Sequence, residues 1–200
     1  MRWNEIRHRV TKRLQRLAWI YVTANFKISR TSELTPARPG IDCTLVALDQ
    51  YNYQRVREFR EENRVAEYRD KLASHEIGYF AESGGKAVGS IWASINASGG
   101  PKVVKMYMKL MPNEALIHDI VASPQYKGRG IGPFMVSGIV ERLLSEYGVA
   151  GIIIDVDRRN QPSLRMMKKV GLKITEQALY ISIFGNLVFQ RSLWRDESAC

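Results

Sequence analysis

The sequence predicts a mixed α/β domain over residues 41–200, preceded by an N-terminal amphipathic helix. Three observations support this fold class. A glycine-rich turn over residues 127–132 joins a strand-like segment to a helix-like one. The apolar run Gly151–Val156 (GIIIDV) is bounded by glycine and charge, as is typical of a buried central strand. Strand and helix patterns alternate through the second half of the chain, and 200 residues suit one domain with an appendage.

Residues 1–30 have the apolar spacing of an amphipathic helix. The apolar side chains recur at intervals of three and four, which is one face of a helix; they are Trp3, Ile6, Val10, Leu14, Leu17 and Tyr21. The same thirty residues hold eight Lys and Arg and one acidic residue, whereas the whole chain carries a net charge of +10. Because the rest of the chain is nearly balanced, its composition does not indicate a nucleic-acid partner. We expect residues 1–25 to lie on an anionic membrane, to pack on the protein's own body or to form a homodimer.

The remaining elements follow in chain order from turn signals and periodicity. Residues 31–40, with two prolines, predict a linker. Helical patterning over residues 48–75 breaks near residues 61–63, which predicts two helices. The predicted strands cover residues 41–46, 78–81, 87–95, 114–122, 151–156, 173–184 and 187–193, and the later helices cover residues 131–147 and 162–170. The strands Glu114–Ala122 and Gly151–Val156 flank the first of these later helices.

Cysteine and histidine usage excludes two classes of protein. Two cysteines, Cys43 and Cys200, cannot form a disulfide framework, and no Cys or His cluster has the spacing of a metal site. No apolar run reaches the length of a membrane span. We therefore expect a reduced, cytoplasmic protein without a metal, held peripherally at the inner membrane face if the N-terminal segment binds lipid.

The turn after Ala122 has the chemistry of a phosphate site. Glycine occupies every second position from Gly128 to Gly132, which lets several backbone N–H groups point at one anion. The start of a helix adds a positive dipole end, and Lys127 and Arg129 add full charges. A P-loop is absent, and a dinucleotide site remains an alternative although Met135 stands where that motif needs a glycine. A turn without any ligand is the third interpretation.

Two segments together resemble the GNAT acetyltransferase superfamily. Lys127-Gly128-Arg129-Gly130-Ile131-Gly132 resembles its acetyl-CoA motif, with lysine in place of the usual Gln or Arg. Asn160-Gln161-Pro162-Ser163, followed by Gly171-Leu172, resembles a second family motif 28 residues further on. The resemblance covers residues 40–185. It implies a mostly antiparallel sheet that is splayed at its centre, with flanking helices.

The resemblance also implies how acetyl-CoA would be held. Main-chain groups of Ile120 and Ala122 would contact the pantetheine arm and the thioester oxygen. The turn residues Lys127, Gly128, Arg129, Gly130, Ile131 and Gly132 would hold the pyrophosphate, and Asn160 and Ser163 would lie near the sulfur. A backbone N–H at the thioester would stabilise the charge that develops on its oxygen.

Direct attack by an amine on the thioester requires a base, since free amines are mostly protonated at neutral pH. The candidate catalytic residues are Asp155, Asp119 and His118, each of which has an ordinary structural role as its alternative. Because His118 and Asp119 are adjacent on a predicted strand, we expect them to point to opposite faces. Many relatives carry a tyrosine acid where this chain has Met167, so either no acid is used or another residue, such as Tyr180, supplies one.

The implied function is an acetyl-CoA-dependent N-acetyltransferase acting on a primary amine of a small molecule. An amino sugar or another envelope-related compound is the acceptor we favour. Its pocket would be built by the first two helices and the last strands, from Tyr51, Tyr53, Arg55, Arg57, Tyr68, Tyr180 and Phe184. A long-chain acyltransferase and a non-catalytic CoA-binding or membrane-associated module are the alternatives.

Overall fold

One eight-stranded sheet organises the protein. The computed structural model describes residues 18–184 and 186–196. The strand order is β10-β9-β1-β8-β7-β4-β3-β2, and the described pairs are antiparallel except β7 with β8. A separate two-stranded hairpin is formed by β5 and β6. This mixed architecture, mostly antiparallel with flanking helices, confirms the predicted fold class.

The bounds of the elements follow the sequence expectations closely in the second half of the chain. The strands are β1 Ala18–Ser29, β2 Thr44–Ala47, β3 Ile77–Ser83, β4 Lys86–Ile95, β5 Lys102–Lys105, β6 Met108–Leu110, β7 Glu114–Ala122, β8 Gly151–Asp157, β9 Glu176–Ile183 and β10 Asn186–Arg195. The helices are α1 Arg64–Ala73, α2 Ile131–Ser145 and α3 Gln161–Lys169, with 3₁₀ helices at Tyr53–Glu58 and Pro124–Tyr126. The break predicted between two helices at residues 61–63 is confirmed, although the first of the two is a 3₁₀ helix.

The prediction of an N-terminal helix is wrong over residues 18–29, which form strand β1. Residues 1–17, which carry most of the predicted apolar stripe, lie outside the described residues. β1 lies between β8 and β9 and pairs with both, so its backbone groups are satisfied on either side. Alternation along the strand buries Ala24, Phe26 and Ile28 on one face. Two strand partners and a buried face outweigh the helical spacing, which in this stretch rested on Tyr21 alone.

The main core lies between the sheet and the helices α2 and α3. Met135, Val136, Ile139 and Leu143 of α2 are fully buried against the strands, and Met167 of α3 joins the same cluster. A smaller cluster on the opposite face packs Tyr68 of α1 against Phe80 and Trp92. Helices α2 and α3 therefore pack on the central parallel strands β7 and β8 from one face, whereas α1 covers β3 and β4 on the other.

The hairpin β5–β6 was not predicted. Its strands are short, and Met108 and Leu110 pack on Leu116 and Ile153 of the two central strands. The hairpin covers the face of the sheet opposite α2, so its side chains reach the end of β8. The sequence signal was weak, because residues 102–110 (KVVKMYMKL) show no regular alternation of polar and apolar residues.

Candidate active site

The two central strands separate at the middle of the sheet. β7 and β8 pair from Glu114 with Gly151 to Ile117 with Ile154, and no further pair follows. On their other sides, β7 stays paired with β4 as far as Ala122, and β8 stays paired with β1 as far as Asp157. The backbone of residues 118–122 therefore faces an open cleft. Buried backbone groups without partners are costly, so this edge is suited to a ligand that supplies hydrogen bonds.

A bulge in β7 opens the cleft. Ser90 pairs with Val121 and Trp92 with His118, so β7 has one residue more than β4 in this interval. Asp119 takes the positive φ of 45° that the extra residue requires. The bulge breaks the strand alternation, and the expectation that His118 and Asp119 point to opposite faces is wrong. Both side chains bond to groups on the α1 side of the sheet.

The glycine turn lines a cavity at the end of β7. Gly128 and Gly130 have φ of 82° and 78°, and Gly130 is the residue before α2. The cavity has a volume of about 520 Å³ and is lined by Ala122, Ser123, Pro124, Tyr126, Lys127, Gly128, Gly130, Ile131, Gly132, Pro133, Pro162, Arg165, Met166 and Lys169. A Cβ on Gly132 would stand 2.5 Å from the sulfur of Met166, so a larger residue here would require the Met166 side chain to shift.

Of the expected turn residues, Arg129 alone is not part of this lining. Its carbonyl accepts a hydrogen bond from the N–H of Gly40, at 2.7 Å, which ties the turn to the residues before β2. Two further cations, Arg165 and Lys169 of α3, line the cavity instead. Their spacing of four residues places them on one helix face, a signal that the sequence contained.

Asn160 and Ser163 lie at the inner cavity, which passes between β7 and β8. This cavity of about 230 Å³ is lined by Tyr21, Lys105, Ile117, His118, Asp119, Ile120, Ile154, Asp155, Val156, Asp157, Asn160, Ser163 and Met167. The side chain of Asn160 accepts a hydrogen bond from the N–H of Ser163 at 3.2 Å and so caps α3. The motif therefore has a local structural role, and it presents both residues to the cleft.

Asp119 is held by two cations. Its Oδ1 lies 3.2 Å from Nη1 of Arg60, and its Oδ2 lies 2.5 Å from Nζ of Lys71 on α1. The three side chains are between 14% and 19% exposed. Both carboxylate oxygens are engaged by cations, so this arrangement gives Asp119 the structural role of anchoring the bulge to α1.

Asp155 is similarly enclosed. Its Oδ1 lies 2.5 Å from Nζ of Lys105, and its Oδ2 accepts a hydrogen bond from the hydroxyl of Tyr107 at 2.8 Å. Only 1% of its side chain is exposed. Burial and the adjacent carboxylate raise the pKa of Tyr107 above its usual value, so this hydroxyl keeps its proton and remains a donor. Lys105 and Tyr107 come from the unpredicted hairpin and were not among the candidates.

His118 is the third candidate, and it keeps a nitrogen free. Its Nε2 lies 3.1 Å from the hydroxyl of Ser94 and 3.1 Å from Oε2 of Glu76. The bond with Ser94 fits either tautomer of the ring, and Oε2 of Glu76 is close to Nε2 without making a hydrogen bond. No described side chain bonds to Nδ1. The oxygens of Asp119 and Asp155 are all engaged, so of the three candidates His118 is the one that keeps an atom without a described side-chain partner.

A tyrosine on strand β1, rather than on α3, reaches the cavity that Met167 lines. Tyr21 lines the cavity together with Met167, whereas Tyr180 lies beneath Tyr107, with ring centroids 4.4 Å apart, and is not part of the lining. Burial first, then the charge of Asp155, raises the pKa of Tyr21 to about 12. The hydroxyl of Tyr21 is therefore protonated at neutral pH.

The arginines expected at the acceptor pocket are engaged elsewhere. Arg55 bonds to Glu58, Glu82 and the carbonyl of Gly85, and Arg57 bonds to Glu62. The other expected residues divide between exposed and buried positions: Tyr51 and Phe184 are exposed, Tyr53 is half-buried, and Tyr68 bonds to Ser90 in the small core. None of these residues is among those that line either cavity.

The described part of the chain holds neither a metal-binding cluster nor a membrane-spanning helix. Among residues 18–184 and 186–196, no group of three His, Cys, Asp or Glu side chains is placed to hold a metal ion. No helix in these ranges combines the length and the apolar character needed to cross a membrane.

Comparisons with known structures identify the same fold. The aminoglycoside N-acetyltransferase AAC(6')-Iy, in complex with a CoA-S-monomethyl-acetylneamine bisubstrate analogue, is 17% identical with a TM-score of 0.52, over 66% of this chain and 91% of that one. A GCN5-related N-acetyltransferase from Kribbella flavida is 8% identical with a TM-score of 0.58, over 88% of this chain and 64% of that one. No curated protein matches the sequence significantly.

A match to a family model identifies the protein family of this chain. The model described as the acetyltransferase (GNAT) family matches residues 44–172, which include β2 to β8, the glycine turn and α3. The chain therefore belongs to the GNAT family of acetyltransferases, the acyltransferases that take acetyl-CoA as acyl donor.

Proposed function

We propose that the protein moves the acetyl group of acetyl-CoA to a primary amine of a small molecule by direct attack. The observation that carries this proposal is the pair of neighbouring cavities, one at the glycine turn and one between the separated strands β7 and β8, with Ala122 lining the first and Ile120 the second. The first suits a pyrophosphate, and the second suits an extended chain that ends in a thioester.

The residues of the turn fit the phosphates of acetyl-CoA. Two glycines with positive φ and the start of α2 present backbone N–H groups to the cavity. Lys127, Arg165 and Lys169 line the same cavity and supply positive charge. When bound, acetyl-CoA supplies an activated carbonyl, and the protein supplies the groups that position it.

The bulge in β7 presents main-chain donors to that carbonyl. Ile120 follows Asp119, the residue with positive φ, and it lines the inner cavity. The bulge removes residues 119 and 120 from regular pairing with β4, and β8 is absent on their other side. A fixed N–H at this position stabilises negative charge on the oxygen without reorganisation. Arg60 and Lys71 hold the bulge in place through Asp119.

His118 is the proposed base. Its Nδ1 accepts the proton of the incoming ammonium group, directly or through one water, while the hydrogen bond between Ser94 and Nε2 orients the ring. Asp155 keeps Lys105 at the wall of the cavity and also bonds to Tyr107. Tyr21 is the proposed proton donor to the departing sulfur, since it is the protonated tyrosine that shares the cavity with Met167.

The acceptor enters from the face of the sheet that carries α1 and the hairpin. The carboxylates that line the inner cavity are already paired: Asp119 with Arg60 and Lys71, Asp155 with Lys105, and Asp157 with Arg159. A second ammonium group on the acceptor would have to displace one of these cations. This supports an acceptor with one amine, such as a simple amino sugar of the kind used in envelope synthesis.

The test is a transfer assay that follows release of the CoA thiol with a panel of single amines and polyamines. We expect turnover with at least one single amine. His118→Gln should lower kcat by 10²–10⁴-fold, the usual contribution of a base, and His75→Gln is the matched control because His75 is exposed and outside the cavities. Full turnover of His118→Gln with an unchanged pH profile would exclude this base.

We also propose that the basic residues before Ala18 bring the protein to the inner face of the cytoplasmic membrane. Residues 1–17 contain six Lys and Arg and one Glu, and each basic residue near an anionic surface contributes about 1 kcal/mol. Deletion of residues 1–17 leaves β1 intact, so it should weaken pelleting with phosphatidylglycerol vesicles while sparing acetyl-CoA binding. Equal pelleting of both proteins would contradict the proposal.

A further inference from the structure

The three strands at one end of the sheet, β1, β9 and β10, carry an apolar face that the described residues cover only in part. We call it the outer face; it consists of Ile20, Val22, Leu179, Ile181, Ile183, Phe189 and Trp194 on β1, β9 and β10. The register places Ile20, Ile181 and Phe189 side by side in one row across the three strands. Ala24, two alternations beyond Ile20 on β1, is buried in the main core, so the outer face continues the side that α2 and α3 cover elsewhere.

The exposure of this face is high. Ile20 is 65% exposed, Phe189 44% and Trp194 47%. Phe184, Val188 and Leu193 are exposed beside them, in the turn and at irregular positions of β10. Single exposed apolar residues are ordinary, but a continuous patch of this kind marks a surface for interaction.

The contact uses the face of the sheet rather than its edge. β10 is the edge strand, and its pairing with β9 is interrupted twice, between Leu187 and Phe189 and between Ser192 and Trp194. Bulges of this kind twist an edge strand and hinder the addition of a further strand. The side chains, not the free backbone groups, are therefore the available binding elements.

The area of the patch matches what a dimer requires. Four exposed side chains of the face and three beside it, Ile20, Ile183, Phe189, Trp194, Phe184, Val188 and Leu193, leave on the order of 100 Å² each in solvent. Together they offer roughly 700 Å², close to the ~800 Å² per partner of a standard interface. Arg191, which pairs with Leu179, is the one charged side chain of β10 on this side.

We propose that the outer face binds the outer face of a second copy of this chain around a two-fold axis. A self-complementary apolar patch is what a two-fold contact needs, and homodimer interfaces are more apolar than those of transient complexes. An almost uncharged patch gives no basis for a partner of opposite charge. The dimer also shields β1, the strand that brings Tyr21 to the active site.

The test measures the mass of the full chain by light scattering and sedimentation equilibrium over a range of concentrations. We expect twice the mass of one chain for the wild type, and a monomer for Phe189→Glu. Tyr51→Glu is the matched control, since Tyr51 is an exposed aromatic residue far from the outer face in sequence and sheet position. Retained acetyl-CoA binding by Phe189→Glu shows that it has folded.

Three results would overturn the proposal. The first is a wild-type monomer at every concentration. The second is a dimer that survives both Phe189→Glu and Trp194→Glu. The third is a different occupant of the face. A monomer that dimerises only after residues 1–17 are removed would show that the chain's own N-terminus covers it. A monomer that pellets with lipid vesicles, and loses this binding in Phe189→Glu, would show that a membrane covers it.

Discussion

Replacing Asp119 by asparagine separates its structural role from a catalytic one. The change keeps the shape of the side chain and removes its charge from between Arg60 and Lys71, which lie 3.2 and 2.5 Å away and are each 14% exposed. Leaving a fully buried partner unpaired costs about 3–5 kcal/mol, whereas an exposed pair contributes less than about 1. Lys71 keeps a second partner, Glu67 at 3.0 Å, which lowers the cost. We expect Asp119→Asn to reduce the free energy of unfolding by about 2–3 kcal/mol.

Urea unfolding at fixed protein concentration measures this value. The matched control is Asp70→Asn, because Asp70 also pairs with an arginine, Arg69, but is 68% exposed; its effect should stay within about 0.5 kcal/mol. A loss below 0.5 kcal/mol for Asp119→Asn would refute the anchoring role. An Asp119→Asn protein that is stable but inactive, with its pH profile altered, would instead make Asp119 the base.

Three further outcomes follow from the geometry of the cleft. The pKa of Tyr21 rises from about 10 in the unfolded chain to about 12 in the folded protein, so the free energy of unfolding should fall as pH rises from about 10 to 12. In urea unfolding, Tyr21→Phe should remove about 1–2 kcal/mol of this fall. An unchanged pH profile of stability would contradict the burial of Tyr21. Tyr107→Phe should cost about 1–2 kcal/mol by leaving one oxygen of Asp155 unbonded, with turnover within tenfold; a shifted pH–rate profile would indicate that Asp155 is the base. A Cβ on Gly89 would meet the carbonyl of Val121 at 2.7 Å, so Gly89→Ala should lower thermal stability by about 1–3 kcal/mol, and a neutral effect in calorimetry would mean that β4 and β7 approach less closely.

The glycine turn and the elements around it could be predicted from sequence because their signals are local. Gly128 and Gly130 were identified by their spacing, and both have the positive φ that favours glycine. β8 was marked by a continuous apolar run, and α3 by Pro162 at its start and Gly171 after its end. These segments also carried the resemblance to the family.

The rest of the site depends on contacts between distant residues, which a single sequence does not display. β1 reads as part of a helix until the strands on either side of it, more than 120 residues away in sequence, are known. The bulge at Asp119 has no local mark, so alternation gave the wrong faces for His118 and Asp119. The partners of Asp155 come from a hairpin 48 to 50 residues earlier in the chain.

Titration calorimetry with acetyl-CoA on two matched glycine variants tests the central claim most directly. Gly128 and Gly148 both have positive φ, and an added Cβ would meet nothing within 4 Å at either position, but only Gly128 lines the cavity at the turn. Alanine in the left-handed region costs about 1–2 kcal/mol, and a turn that relaxes to avoid this strain loses its phosphate geometry. We predict binding by the wild type and by Gly148→Ala, and affinity about tenfold weaker for Gly128→Ala. Absence of heat with the wild type at millimolar acetyl-CoA, or equal affinity of the two variants, would contradict the assignment of this turn and cleft to acetyl-CoA.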